Sequence, residues 1–137
     1  MNTTSLTTTT TTAPRFALSD PTKQLLRLAA SVPVLAQKMR VEISEDGQSL
    51  RFFGQPPWLQ PHPLRQEELS FDPPKFAYEI GAWSDGEQHA AIWLLNVWNP
   101  RWAKAEGYRF DLFAAVGTLD SFNLNAIAEW MVNPVWP

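Results

Sequence analysis

The chain contains no cysteine among its 137 residues. That excludes disulfides, thiolate zinc sites, cysteine-ligated iron–sulfur clusters and cysteine nucleophiles, and it suits a reducing compartment. Long apolar runs are missing as well. The longest, Ala90 to Leu95, falls far short of the roughly 18 residues that a transmembrane helix needs. The N-terminus has no basic stretch leading into an apolar core of signal-peptide type. A cytoplasmic protein with no membrane association is therefore expected.

Glycine is sparse and scattered. Its six residues form neither a G-x-x-x-x-G-K loop nor a G-x-G-x-x-G turn, so no phosphate cradle is indicated, and no G-x-S-x-G elbow is present. Histidine is limited to His62 and His89. Asp85 and His89 stand one helical turn apart with Glu87 between them, but zinc needs three or four ligands in fixed geometry. Helix capping explains Asp85 and Glu87 better. An enzyme with a site at Asp85, Glu87 and His89 is the weakest functional alternative, and no cofactor is expected. The carboxylates Glu67, Glu68 and Asp72 stand in a proline-rich stretch, where solvation is the default.

Charge of one sign is not concentrated either. Residues 15–75 carry eight basic against seven acidic side chains, and residues 76–137 carry three against seven. Neither half has the basic excess of a general nucleic-acid binder. A local basic edge formed by Lys23, Arg27, Lys38 and Arg40 keeps nucleic-acid association as an alternative, although such residues usually form the solvated face of an amphipathic helix.

What the chain has in quantity is aromatic side chains and proline: seven Trp, eight Phe and twelve Pro. The threonine-rich beginning, Met1 to Pro14, has too little apolar surface to offset the entropy of ordering. A disordered tail is therefore expected over residues 1–18, with one globular domain over residues 19–137. Ser19-Asp20-Pro21 reads as a helix start, and Leu25, Leu26, Leu28 and Ala29 give an apolar face as far as Pro33, after which residues 34–39 resume the helix. Alternation over Arg40 to Ser44, the Asp46-Gly47 turn and Leu50 to Phe53 predict a β-hairpin over about residues 40–53. Residues 54–75 hold six prolines and predict an irregular connection.

Loose alternation of Phe76, Tyr78 and Ile80 predicts a third strand over residues 76–83, with a short helix as the competing assignment. Beyond it the pattern is helical. One helix runs from Asp85 to about Trp98 and is broken at Asn99-Pro100. A second spans Asp111 to Val116, and a third is capped by Asp120 and carries Leu124, Ile127, Ala128 and Met131 at core spacing. Trp136 is expected to fold back over the end of that last helix. The fold class is α+β: a small antiparallel sheet packed with three to four helices.

Most tryptophans sit in the apolar helical half and are assigned to packing. Trp58 is presented by the proline-rich connection, where exposure as an interface anchor and burial as a lid weigh about equally. With its neighbours Leu59 and Phe53 it forms the candidate partner-binding surface. The leading functional expectation is a non-enzymatic accessory or protein-interaction module with a protein partner.

The C-terminal residues Phe110-Asp111-Leu112-Phe113, then Leu119-Asp120, then Ala128 to Pro137 with its closing Trp136-Pro137, form one pattern. It resembles the tail of small uncharacterised proteins carried by proteobacterial plasmids and integrative conjugative elements. The resemblance covers residues 110–137 and implies a mobile-element origin without implying an activity.

Overall fold

A computed structural model describes residues 21–45, 49–54, 56–64 and 68–137. The expected tail over residues 1–18, the Ser19-Asp20 start signal, the Asp46-Gly47 turn and Glu67 lie outside them. Among the described residues the chain forms seven helices and two separate antiparallel two-stranded sheets, an α+β fold.

Helix α1 (Pro21–Ser31) starts with proline and buries Thr22, Leu25, Leu26 and Ala29, a single stripe at helical spacing. Pro33 excludes Val32 from helical backbone, so Val32 is extended (φ −103°, ψ 110°) and α2 (Pro33–Met39) begins afresh. Arg40 closes α2 in the left-handed region (φ 59°, ψ 47°) and its N–H donates to the Ala36 carbonyl. The chain then enters the first hairpin, β1 (Val41–Ile43) with β2 (Leu50–Phe52), in the register Val41↔Phe52, Glu42↔Arg51, Ile43↔Leu50. Glu42 and Arg51 form an ion pair across it.

The stretch read as an irregular connection contains a second hairpin, β3 (Leu59–Pro61) with β4 (Leu69–Phe71). The His62 N–H donates to the Glu68 carbonyl and the Asp72 N–H to the Trp58 carbonyl, each at 2.9 Å. Those two bonds make 62:68 and 58:72 hydrogen-bonded pairs, so the Pro61↔Leu69 pair falls at a non-hydrogen-bonded position. The donor that Pro61 lacks is one the ladder does not need.

The third strand expected over residues 76–83 is instead a helix, α3 (Pro73–Ile80). Asp72 caps it by accepting from the Lys75 N–H at 3.1 Å, and Pro73 occupies its first turn. The Phe76, Tyr78, Ile80 alternation is a coincidence of composition. Phe76 and Ile80 are buried one helical turn apart, whereas Tyr78 between them is 88% exposed.

Helix α4 (Asp85–Trp98) is the centre of the molecule and packs against α1, α2, α3, α5 (Pro100–Ala105) and α6 (Leu112–Thr118). Its start is tied to α2. Glu87 accepts from the Ser84 N–H at 2.9 Å and lies 3.7 Å from the Lys38 ammonium, which sits 5.4 Å over the Trp83 ring. The last helix, α7 (Ser121–Val132), is capped by Asp120 and bound to α2 where Asn123 Oδ1 accepts from the Val34 N–H at 2.8 Å.

The core is aromatic at its centre. Trp58 is 1% exposed, so the structure assigns it to packing. Its ring lies edge-on to Phe71 at 6.1 Å and to Phe76 at 5.1 Å, and its indole N–H donates to Glu79 Oε1 at 2.9 Å. Phe71 reaches Trp98, and Phe76 reaches Trp83. Leu59 beside Trp58 is also buried, so neither residue presents a surface to a partner. Local pattern does not decide burial here; the α3 wall against which Trp58 packs does.

Trp58→Ala should therefore cost about 3–5 kcal/mol of folding stability, measured by denaturant unfolding; a loss below about 1 kcal/mol would remove Trp58 from the core. A second expectation concerns Glu87. The Ser84 backbone N–H holds its carboxyl below the usual carboxylate range, and the Lys38 ammonium acts in the same sense. A depressed carboxylate stabilises the fold above its unfolded pKa and loses that contribution as pH falls through the folded value. Glu87→Gln should lower the melting temperature at neutral pH and flatten its fall between about pH 5 and pH 3. An acid limb as steep as that of the native chain would contradict this role.

Candidate functional site

A concavity of some size lies at the C-terminal end of the described residues. It begins where Asn99 ends α4 and caps α5, accepting from the Trp102 N–H at 3.0 Å. After α5 the chain reverses at Gly107, whose φ of +85° suits glycine. Asn96 on α4 fastens the returning segment by donating from Nδ2 to the Tyr108 carbonyl at 2.9 Å. Asp111 then caps α6, accepting from the Ala114 N–H at 3.0 Å. The α6 helix runs through Gly117 to Thr118, two residues past the expected end.

These turns leave an open groove of about 900 Å³ between α4, α5, α6, α7 and the closing segment. Trp93 and Val97 form its base, and Phe110, Leu112, Phe113, Met131 and Trp136 its apolar walls, with Lys104 and Arg109 also lining it. A ladder of indoles runs along one side. Trp93 meets Trp130 edge-on at 5.7 Å, and Trp130 meets Trp136 at 4.9 Å. Trp130 Nε1 also donates to the Val135 carbonyl at 2.9 Å. Trp136 thus folds back on the helix end as expected, although it remains 55% exposed. Trp93 is 2% exposed, and its indole nitrogen is a buried polar atom with no partner among the described residues. An unpaired buried donor costs on the order of 1–3 kcal/mol.

The C-terminal elements expose many large apolar side chains. Phe113 is 89% exposed, and Leu112, Val116, Phe122, Met131, Val132 and Val135 are all exposed with it. Of the four residues expected to face the core from the last helix, only Ile127 is buried; Leu124 is half-buried and Ala128 and Met131 face outward. The reason lies in composition. Ser121–Val132 carries one charged residue, Glu129, so its apolar residues surround the helix and spacing alone does not choose the inner stripe.

The residues singled out from sequence do not converge on this groove. Phe53 is 47% exposed, with the Arg51 guanidinium 5.8 Å over its ring, whereas Trp58 and Leu59 are buried. The exposed aromatic beside Trp58 is Tyr78, in a smaller hollow lined by Pro57, Pro74, Lys75 and Glu79. Of the basic edge, Lys38 is engaged by Glu87 and Trp83, and Lys23 and Arg27 also have partners. Arg40 is exposed at the end of α2. Glu87 serves the α4 cap, and among the described residues no group of three or more His, Asp or Glu side chains is placed to hold a metal ion.

No family model, curated protein or solved structure matches the chain. Among the described residues, no helix is long and apolar enough to cross a membrane. The site is therefore read from its own geometry. Sequence carried one usable signal for it: residues 110–137 hold Phe, Met and Trp in number and no lysine, and interface centres are enriched in aromatic residues and methionine and depleted of lysine.

Trp130→Phe keeps a ring between Trp93 and Trp136 but deletes the donor to Val135. Carboxypeptidase should then trim residues 133–137 several-fold faster, while global stability falls by no more than about 1 kcal/mol. Unchanged trimming, followed by mass spectrometry, would show that this bond does not hold the terminus.

Proposed function

We propose that the chain is a non-enzymatic protein-interaction module whose binding surface is the C-terminal aromatic groove. The observation that carries this reading is the exposure of Leu112, Phe113, Met131 and Trp136 in the lining of one concavity. Large exposed apolar patches on small domains mark interaction sites. Aromatic anchors beside a pocket, with few charges, are the usual make-up of an interface centre.

The surface first expected around Trp58 moves to this groove, since Trp58 is spent on the core. The nucleic-acid alternative is weaker, because Lys38 is committed to Glu87 and Trp83. A cytoplasmic setting agrees with the cysteine-free composition. A role as an accessory factor of a mobile genetic element agrees with the resemblance of residues 110–137.

Capture from a host lysate with the full chain as bait tests the reading. Phe113→Ser combined with Met131→Ser should abolish retention of the proteins held by the native bait, at an unchanged melting temperature. The same proteins retained by both baits would place binding elsewhere.

A further inference from the structure

We infer that the partner enters this groove with a short acidic segment of its chain that carries a large apolar side chain. The inference rests on the groove being the binding surface and adds the chemistry of what fills it.

Charge decides the sign of the occupant. Residues 76–137 hold three basic and seven acidic side chains. Two of those three cations, Lys104 and Arg109, line the groove, and of the seven carboxylates only Asp111 does. Asp111 already accepts from the Ala114 N–H at 3.0 Å as the cap of α6. Lys104 and Arg109 are exposed and form no ion pair among the described residues. The groove lining is therefore net positive within the acidic half of a chain whose net charge is −3. Such local complementarity draws an anionic partner to this site and discourages it elsewhere.

Extent decides its size. The exposed parts of Leu112, Phe113, Met131 and Trp136 in the lining equal little more than two fully exposed side chains, about 400 Å². A globular partner takes about 800 Å² from each side of a standard interface. The smaller patch suits an anchor side chain on a short segment.

Asn96, also in the lining, asks for a donor. Both hydrogens of its Nδ2 are spent on the Ile92 and Tyr108 carbonyls, each at 2.9 Å. Its Oδ1 has no donor among the described residues and is not sealed from solvent. A peptide backbone brings the N–H that this oxygen lacks, whereas a phosphodiester or a fatty carboxylate does not. Single-stranded nucleic acid also stacks on aromatic rings, but it carries a charge on every nucleotide, more than two cations offset in an acidic chain.

The test titrates the full chain with synthetic tryptophan-free peptides to about 1 mM. The readout is the indole N–H signals of Trp130 and Trp136 in proton–nitrogen correlation spectra. One peptide has a Leu-Phe core flanked by glutamates, the second has the same core flanked by lysines, and the third has a Gly-Ser core flanked by glutamates. The first should shift both signals and bind at least about tenfold more tightly than the other two. Its affinity should fall several-fold between about 50 and 300 mM salt. Lys104→Glu combined with Arg109→Glu should reverse the preference in favour of the lysine-flanked peptide. Should that double variant melt lower, Lys104→Gln and Arg109→Gln singly should each weaken the acidic peptide several-fold.

Equal binding of the lysine-flanked peptide overturns the inference, as does the absence of a shift with every peptide. Displacement of the acidic peptide by an oligothymidine of equal charge also overturns it and assigns the groove to nucleic acid. The groove reading itself is decided separately. If Phe113→Ser with Met131→Ser abolishes capture from the lysate, the groove stands and only its acidic occupant is rejected; if capture survives, both fall.

Discussion

The burial of the Trp58 indole is the constraint on which the rest of the fold depends. Its ring joins the second hairpin, through Phe71, to α3, through Phe76, and its N–H closes on Glu79 so that the polar atom is buried with a partner. Phe71 and Phe76 pass the contact on to Trp98 and Trp83, at the two ends of α4. A buried tryptophan removes about 150–250 Å² from water, worth about 4–6 kcal/mol before the entropy of ordering is subtracted. Domains of this size have net stabilities of about 5–15 kcal/mol. In a chain with no cysteine to bridge it, this aromatic cluster occupies the place of a covalent staple.

Much of the architecture was legible because its signals are local. Pro21, Pro33 and Pro100 mark helix starts or breaks, Asp111 and Asp120 cap the helices they precede, and the first hairpin shows plain alternation on either side of its turn. The misread parts are those decided by a distant partner. Whether Pro61 breaks a strand depends on the register with Leu69, which no local window contains. Asp72-Pro73-Pro74 is a helix start resembling those at Pro21 and Pro100, yet the prolines that precede it mask the signal. The burial of Trp58 is likewise a property of the α3 wall. The groove was hidden for another reason. Met131 and Ala128 have core spacing, but α7 is apolar on nearly every side, and only its docking on α2 through Asn123 decides which stripe faces inward.

The tryptophans thus divide by their task. Trp58, Trp83 and Trp98 hold the core, whereas Trp93, Trp130 and Trp136 form a ladder from the interior to the surface. The exposed end of that ladder borders Phe113 and Met131, on a face whose few acidic residues are mostly consumed by helix caps. A small domain seldom leaves so much apolar surface in water without a use for it. Association through the groove, as proposed, accounts for the exposure of Phe113, Met131 and Trp136 in its lining.

Hydroxyl-radical footprinting of the full chain examines this division most directly. The account predicts that Phe113, Met131 and Trp136 label strongly while Trp58 and Trp93 do not. Labelling of Trp58 as strong as that of Trp136 would contradict it.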